Sequence, residues 1–149
     1  MQREEILPLS IIVHIDRFSL SKDLQLEALQ EFKELCLSSG TEVMAEVSGK
    51  IDRPSPNFFI KQGKLEEIKE LVRSHKAHLV IFNNDLTPSQ ERNLEKFLGT
   101  RVLDRTSLIL DIFATRASSH IGKLQVELAQ LTHLSTRLVR GWSHLERQK

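Results

Sequence analysis

Residues Ala77–Leu103, AHLVIFNNDLTPSQERNLEKFLGTRVL, contain the clearest structural signals in the sequence. The segment begins with an apolar, β-branched run typical of a strand buried on both faces, and it ends with a second short strand at Arg101–Leu103. Between the two, Thr87 is placed to cap a helix, Pro88 suits the first helical position and Gln90 completes a capping box. A strand, a helix and a strand in close succession predict a parallel pair joined by a crossover helix.

The chain before this unit repeats the alternation of strand and helix. Ser10–Ile15 and Thr41–Val47 are typical of strands, and Ser21–Gly40 between them has the apolar spacing of an amphipathic helix that ends at a glycine. Ile51–Phe59 contains two prolines and is predicted as a loop. A second amphipathic helix follows, with apolar positions at Leu65, Ile68, Leu71 and Val72. Residues 1–104 are therefore predicted to form an α/β domain, with a small, mainly parallel four-stranded sheet and flanking helices.

Residues 105–149 are predicted to form one long helix, capped by Asp104 or Thr106, because no proline follows Pro88. At ~1.5 Å per residue such a helix would be about 60 Å long. Steps of four and three residues pick out an apolar series that is interrupted by a single polar residue, Ser135. We call this series the seam: Leu110, Ala114, Ala117, Ile121, Leu124, Leu128, Leu131, Leu138, Trp142 and Leu145. A seam with this spacing is typical of a coiled coil, so it needs a partner helix from a second chain or from further sequence.

The composition is that of a globular protein, with 40% hydrophobic and 28% charged residues among 149. The single cysteine, Cys36, excludes an intrachain disulfide, and its helical spacing from Phe32 indicates a core position. No apolar run approaches the roughly 20 residues that a membrane span needs. The first residues, MQREEILPLS, lack the apolar core of a signal peptide. A cytoplasmic protein without a membrane span is expected.

The charges are distributed unevenly along the chain. Residues 1–100 contain 13 Lys and Arg against 16 Asp and Glu, whereas residues 101–149 contain 8 against 4. The excess of positive charge near the end indicates an anionic partner, although solvated helix faces are also often basic. Lys61 and Lys64 open the second helix, where anions are favoured. The candidate RNA contacts near the end of the chain are Arg137, Arg140, Trp142, His144 and Arg147.

No catalytic or metal-binding motif stands out in the sequence. The phosphate-binding pattern G-x-x-x-x-G-K-[ST] is absent, since Gly122-Lys123 is preceded by Ala117 where the first glycine would stand. The histidines His14, His75 and His78 have no carboxylate placed to complete a metal site, so they are predicted to be structural. We therefore predict no cofactor, metal or catalytic residue within this chain.

Acidic residues that follow two predicted strands leave one alternative open. Asp16 follows the first strand and Asn83-Asn84-Asp85 follows the third, at the edge where open α/β sheets bind ligands. Asn and Asp are also expected in turns. The alternative is a receiver-like or small-ligand sensing domain, with Asp16 or Asp85 as its site and the long helix as a dimerising output.

Two long segments make the chain recognisable. DRTSLILDIFATRA at Asp104–Ala117 and GKLQVELAQL at Gly122–Leu131 closely resemble the N-terminal region of the HflX family of translation-associated GTPases, and FFIKQGKLEEI is a looser match. The family usually has Ile-Gly-Lys-Gly-Lys where this chain has Ile60 to Lys64, reading IKQGK. The loss of the first glycine makes a phosphate cradled by the backbone less favourable at this turn.

The resemblance implies a protein that contains more than this chain. Family members have an α/β subdomain, an antiparallel pair of long helices joined by a glycine-rich loop, and then a GTP-binding domain. This chain would supply the α/β subdomain and the first helix, so the second helix would be the partner of the seam. The resemblance implies docking on the large ribosomal subunit and its RNA, ribosome splitting or rescue under stress, and GTP and Mg²⁺ bound elsewhere in the full-length protein. In isolation, the chain is expected to self-associate through the seam.

Overall fold

The computed structural model describes residues 7–119 and, beyond them, residues 132, 134 and 135. Strands and helices alternate through the described range, which confirms the predicted α/β architecture. The elements in chain order are β1 Leu9–Asp16, α1 Lys22–Ser38, β2 Glu42–Lys50, α2 Gln62–His75, β3 Leu79–Phe82, α3 Pro88–Leu98, β4 Arg101–Leu103 and α4 Arg105–Ser119.

The four strands form one parallel sheet in the order β2-β1-β3-β4. β1 lies in the interior and pairs with β2 from Leu9 to Asp16, with one register irregularity after Ser10. On its other side, β1 pairs with β3 from Ser10 to Val13. Because all four strands are parallel, their carboxyl ends meet at one edge of the sheet, which we call the carboxyl edge.

Alternate residues of β1 serve the two faces of the sheet. Ile11, Val13 and Ile15 belong to the core cluster that contains the buried apolar residues of α2 and α3. The opposite face is covered by α1, since Lys33 of α1 forms an ion pair of 2.6 Å with Glu46, the register partner of Ile12. The buried members of α1 are Phe32 and Cys36. Burial raises the pKa of the Cys36 thiol to about 12, which is consistent with the predicted core position.

Both ends of α3 follow the predicted signals, whereas α1 ends at Ser38 with Ser39 as its cap, before the predicted Gly40. Thr87 accepts a hydrogen bond from the Gln90 N–H at 3.1 Å and the Gln90 side chain accepts one from the Thr87 N–H at 2.9 Å, so the capping box is confirmed. Gly99, at φ +70°, ends α3 in the left-handed conformation. Ser21 caps α1. These local signals explain why each of these helices begins or ends where it does.

The segment between β2 and α2 differs from the prediction. β2 continues to Lys50 rather than ending at Val47. Within the predicted loop, Ser55 and Phe59 form an antiparallel bridge. Phe59 adopts φ +67°, an uncommon conformation for a bulky residue, and it is fully buried against Phe82 with the ring centroids 6.3 Å apart. This aromatic contact closes the core beneath the loop.

The chain divides into two compact units, one through Arg105 and the other from Thr106 onward. In the second unit, Leu108 and Ile112 are buried, one turn apart on the helix. In the described part of the chain, no helix combines the length and the apolar character that crossing a membrane requires.

Candidate functional site

The carboxyl edge between β1 and β3 is the switch point of the sheet, because the chain leaves β1 toward β2 on one side and β3 lies on the other. The strand pattern placed Asp16 and the Asn83–Asp85 segment at this edge, and the structure brings them together. The Asn84 side chain donates to the Ile15 carbonyl at 2.9 Å and accepts from the Ile15 N–H at 3.2 Å. The amide of Asn84 thereby continues the ladder of the sheet by one step past β3.

The Asp16 carboxylate is buried and hydrogen-bonded within the fold. One oxygen accepts from the Phe18 N–H at 3.0 Å, and the other accepts from the Leu20 N–H at 3.1 Å and from the Gln25 side chain at 3.0 Å. Only 5% of Asp16 is exposed. The carboxylate therefore holds the β1–α1 loop in place and is not presented to a cation or a phosphoryl group. Asp85 also takes part in an interaction within the fold. This geometry does not favour the sensing-domain alternative.

A chain of three polar side chains crosses the same edge on the α1 face. Arg105 donates to the Asn83 side-chain oxygen at 3.3 Å, and the Asn83 amide lies 2.9 Å from the Nδ1 atom of His14. Burial lowers the pKa of His14; nearby Asp16 opposes this effect and Arg105 adds to it. The Nε2 atom of His14 is buried and has no hydrogen-bond partner. The sequence pattern indicated a structural role for His14 but did not reveal its link to Arg105; a histidine two residues before a buried aspartate was the only signal.

The predicted anion-binding turn lies at the start of α2. Lys61 is the residue before the helix, its backbone is extended and its side chain makes no capping bond. Lys64 forms an ion pair with Glu67 at 3.1 Å. The stem of Lys64 lies over Gly49 so closely that a Cβ there would be 2.9 Å from the Lys64 Cε atom. Lys64 is thus directed toward β2 and Glu67, while a Cβ on Gly63 would meet nothing within 4 Å, so the turn itself is open to solvent.

The β1–α1 loop carries an exposed aromatic residue that the sequence pattern did not single out. Phe18 is 78% exposed. The guanidinium of Arg17 lies 6.0 Å from the centroid of its ring. The Nε atom of Arg17 is buried and has no hydrogen-bond partner. A phenylalanine placed between a cation and a serine, directly after a strand, was the only sequence signal.

No group of three or more potential metal ligands occurs among the described residues. His78 accepts a hydrogen bond from the Leu9 N–H at 2.9 Å, in agreement with a structural role. The arrangement at the carboxyl edge can present an aromatic ring and a cation to a partner.

Comparison with known proteins gives the family. Residues 26–114 match the family model for the GTP-binding GTPase N-terminal region, and residues 116–149 match the model for the GTP-binding GTPase Middle Region. The chain is 54% identical over 140 residues to a GTPase HflX of Escherichia coli. The chain belongs to the HflX family of GTPases. The resemblance found in the sequence is therefore confirmed.

HflX relatives from other organisms are similarly close. A GTPase HflX of Flavobacterium psychrophilum is 44% identical over 94% of this chain, and one of Thermococcus kodakarensis is 50% identical over 69%. The match to the Escherichia coli protein covers 94% of this chain but 32% of that protein. The chain spans about a third of the length of the HflX proteins of Escherichia coli and Flavobacterium psychrophilum.

Solved structures share the fold with this member of the HflX family. A glycine-to-proline variant of the protein SsGBP is 25% identical and superposes with a TM-score of 0.57, covering 89% of this chain and 41% of that one. A GTP-binding protein from Sulfolobus solfataricus, solved in complex with GDP, has a TM-score of 0.51 at 19% identity, covering 92% of this chain and 45% of that one. At that identity the second likeness concerns the fold alone.

The remaining predicted residues belong to α4 and to the part that matches the Middle Region. Of the seam, Leu110 is half-buried, Ala114 is exposed and Ala117 is buried. The other seam positions lie outside the described residues: Ile121, Leu124, Leu128, Leu131, Leu138, Trp142 and Leu145. The candidate RNA contacts Arg137, Arg140, Trp142, His144 and Arg147 also lie outside them.

Proposed function

We propose that this chain is the N-terminal region with which an HflX-type GTPase docks on the large ribosomal subunit. One observation carries the proposal: 94% of the chain aligns at 54% identity with a protein named GTPase HflX, in the order N-terminal region then Middle Region. The full-length protein would act in translation in the cytoplasm, by splitting or rescuing ribosomes under stress. The chain would serve this activity by binding rather than by catalysis.

GTP and Mg²⁺ would be bound by parts of the full-length protein outside this chain. The residues here do not fit a nucleotide: the sequence has no G-x-x-x-x-G-K-[ST] motif, and Lys64 at the start of α2 is paired with Glu67. The chain alone should therefore neither bind GTP tightly nor hydrolyse it. Equilibrium binding of a labelled guanine nucleotide tests this, and micromolar affinity with turnover would contradict it.

Ribosomal RNA would be contacted through basic side chains. The 8 Lys and Arg against 4 Asp and Glu in residues 101–149 support this, since phosphate contacts supply most of the affinity of such interfaces. The contacts proposed are the basic end of the long helix together with Lys61, which makes no capping bond; Lys64 would join them by exchanging its ion pair with Glu67 for a phosphate. Trp142 would stack on a base or pack in the seam.

The binding experiment uses the full-length protein and isolated ribosomal subunits. The protein should bind large subunits in preference to small ones. Replacing Arg137 and Arg140 with alanine should weaken binding and reduce the slope of log affinity against log salt by about one unit for each phosphate that is no longer neutralised. The matched control removes the same charge from α3 by replacing Arg92 and Lys96. Equal binding to both subunits would refute the proposal; an unchanged slope would assign both arginines to a solvated face.

The seam would pair with a second helix of the same protein, and in the isolated chain with a second copy. Each leucine buried contributes about 1.5–3 kcal/mol, so a solvated seam would forgo an amount comparable to the net stability of a domain. Replacing Leu128 and Leu131 with aspartate should convert a dimer into a monomer. Analytical ultracentrifugation measures this, and a wild-type chain that stays monomeric at high micromolar concentration would contradict the pairing.

A further inference from the structure

The β1–α1 loop exposes Phe18 more than any other large apolar side chain in the described part of the chain, at 78%. Single exposed apolar residues are common on protein surfaces, so the exposure alone has no functional meaning. Phe18 differs from the other exposed apolar residues in how firmly its backbone is held and in the cation beside its ring.

The backbone on both sides of Phe18 is fixed by a buried carboxylate. Asp16 accepts hydrogen bonds from the N–H groups of Phe18 and Leu20, at 3.0 and 3.1 Å, and from the side chain of Gln25 in α1. Ser19 between them adopts φ +51°, which is uncommon for a residue with a side chain. The backbone that carries the ring is thus ordered before a partner arrives, so binding loses less backbone conformational entropy.

One cation, Arg17, lies beside the Phe18 ring, and exposed charges of both signs, Lys22 and Asp23, lie further along the chain at the start of α1. The Arg17 guanidinium lies 6.0 Å from the ring centroid, at the outer limit of a cation–π contact, and its buried Nε has no hydrogen-bond partner. An aromatic ring with an adjacent cation matches a nucleotide, which offers a base to stack and a phosphate to neutralise.

We propose that Phe18 and Arg17 form a stacking platform for an unpaired base of large-subunit ribosomal RNA. The proposal rests on the ribosome docking proposed above, which supplies the RNA. The base stacks on the Phe18 ring, and Arg17 neutralises an adjoining phosphate. The Arg17 guanidinium beside the ring favours a nucleotide over an apolar protein pocket, because such a pocket would bury a charge without a partner. Asp16 acts as a positioning residue for this platform.

The test compares substitutions of Phe18 in the full-length protein by their affinity for isolated large subunits. Phe18→Ala should weaken binding about tenfold, since stacking of one base contributes on the order of that factor. Phe18→Tyr and Phe18→Trp keep a flat ring and should bind nearly as wild type. Phe18→Leu keeps apolar volume without a ring and should weaken binding like Phe18→Ala. The matched control is Leu24→Ala, which removes another exposed apolar side chain close by and should change nothing.

Chemical probing of the RNA supplies the second readout. At least one unpaired base should be protected by the wild-type protein and by Phe18→Tyr, but not by Phe18→Ala. Wild-type affinity for Phe18→Ala would overturn the platform while leaving the docking proposal intact. Two outcomes would assign the ring to a protein pocket instead. In the first, Phe18→Leu binds large subunits as wild type while Leu24→Ala binds more weakly. In the second, Phe18→Ala binds more weakly but protects the same bases as wild type. A wild-type protein that fails to bind large subunits would overturn the docking proposal, and the platform with it.

Discussion

Two loops leave the carboxyl edge of the sheet. The polar side chains of both bond within the fold, but only the β1–α1 loop also exposes a large apolar side chain. After β3, Asn83 and Asn84 turn inward: one bonds to His14 and Arg105, and the other pairs with the backbone of Ile15. At the end of β1, Asp16 also turns inward, but its three hydrogen bonds fix the backbone of a loop that exposes Phe18. The loop after β3, whose Asn-Asn-Asp sequence suggested a ligand site, has a structural role, whereas the β1–α1 loop exposes an aromatic side chain. A polar side chain is therefore available to a binding partner only if its hydrogen-bonding groups are not already used within the fold.

The largest effect should come from removing the carboxylate that holds the β1–α1 loop. Asp16→Ala removes the acceptor of the Phe18 and Leu20 N–H groups and one of the two acceptors of the Gln25 amide, and a donor left unsatisfied inside the fold costs about 1–3 kcal/mol. We expect a loss of about 3 kcal/mol in the free energy of unfolding, measured by urea denaturation. Amide exchange at Phe18 and Leu20 should become faster. Asp23→Ala, an exposed acidic residue in the first turn of α1, is the control. A loss below about 1 kcal/mol would mean that the loop is held by something other than Asp16.

A somewhat smaller effect should follow from cutting the β3 loop away from β1. Asn84→Ala removes both hydrogen bonds to Ile15, a residue at the buried end of the central strand. We expect about 2 kcal/mol of destabilisation by the same measurement. Asn57→Ala, in an exposed loop, should change stability by less than about 0.5 kcal/mol. Equal effects of the two substitutions would show that the inward turn of Asn84 contributes nothing.

The chain of side chains formed by Arg105, Asn83 and His14 should also make the free energy of unfolding depend on pH. The pKa of His14 is held below its ordinary value of 6.5, chiefly by burial and with a contribution from Arg105. The folded state therefore binds a proton less readily than the unfolded state. The contribution of His14 to the free energy of unfolding is fully present above pH 6.5 and is lost as the pH decreases from there through the folded pKa. His14→Gln should reduce this slope in urea denaturation, whereas Ser38→Ala, which alters no titratable group, should leave it as in the wild type. If the free energy of unfolding of His14→Gln depends on pH as strongly as that of the wild type, His14 is not the source of the dependence.

The sequence predicted the fold because its signals are local. Apolar runs mark the strands, and the Thr87–Gln90 capping box and Gly99 mark the ends of α3, so each boundary is set by residues close to it in the chain. The extension of β2 to Lys50 was missed because Ser48 and Gly49 have low strand propensity. Gly49 suits this position because Lys64, distant in sequence, packs where a side chain would be.

The site was harder to predict, because its properties depend on contacts between distant residues. Asp16 and Asn84 were correctly placed at the carboxyl edge from the strand pattern alone. Nothing in the pattern shows that Asp16 directs its lone pairs to Phe18, Leu20 and Gln25, or that Asn83 links His14 to Arg105. The exposure of Phe18 follows from that three-dimensional arrangement. An isolated phenylalanine after a strand is otherwise expected to enter the core.

The smallest effect on stability should come from the ring that the β1–α1 loop presents. Phe18 is 78% exposed, so truncating it to alanine removes little buried apolar surface and leaves its backbone hydrogen bond to Asp16 in place. We expect the free energy of unfolding to change by less than about 0.5 kcal/mol, measured beside Asp16→Ala under the same conditions. Phe32→Ala in α1, which removes a fully buried ring, should by contrast cost about 3–5 kcal/mol and serves as the matched control. A loss of about 2 kcal/mol or more for Phe18→Ala would mean that the ring packs against the protein. The β1–α1 loop would then be structural, like its neighbour after β3. An unchanged stability would be consistent with a binding role, because substitutions at a residue that does not stabilise the fold can alter binding while the protein stays folded.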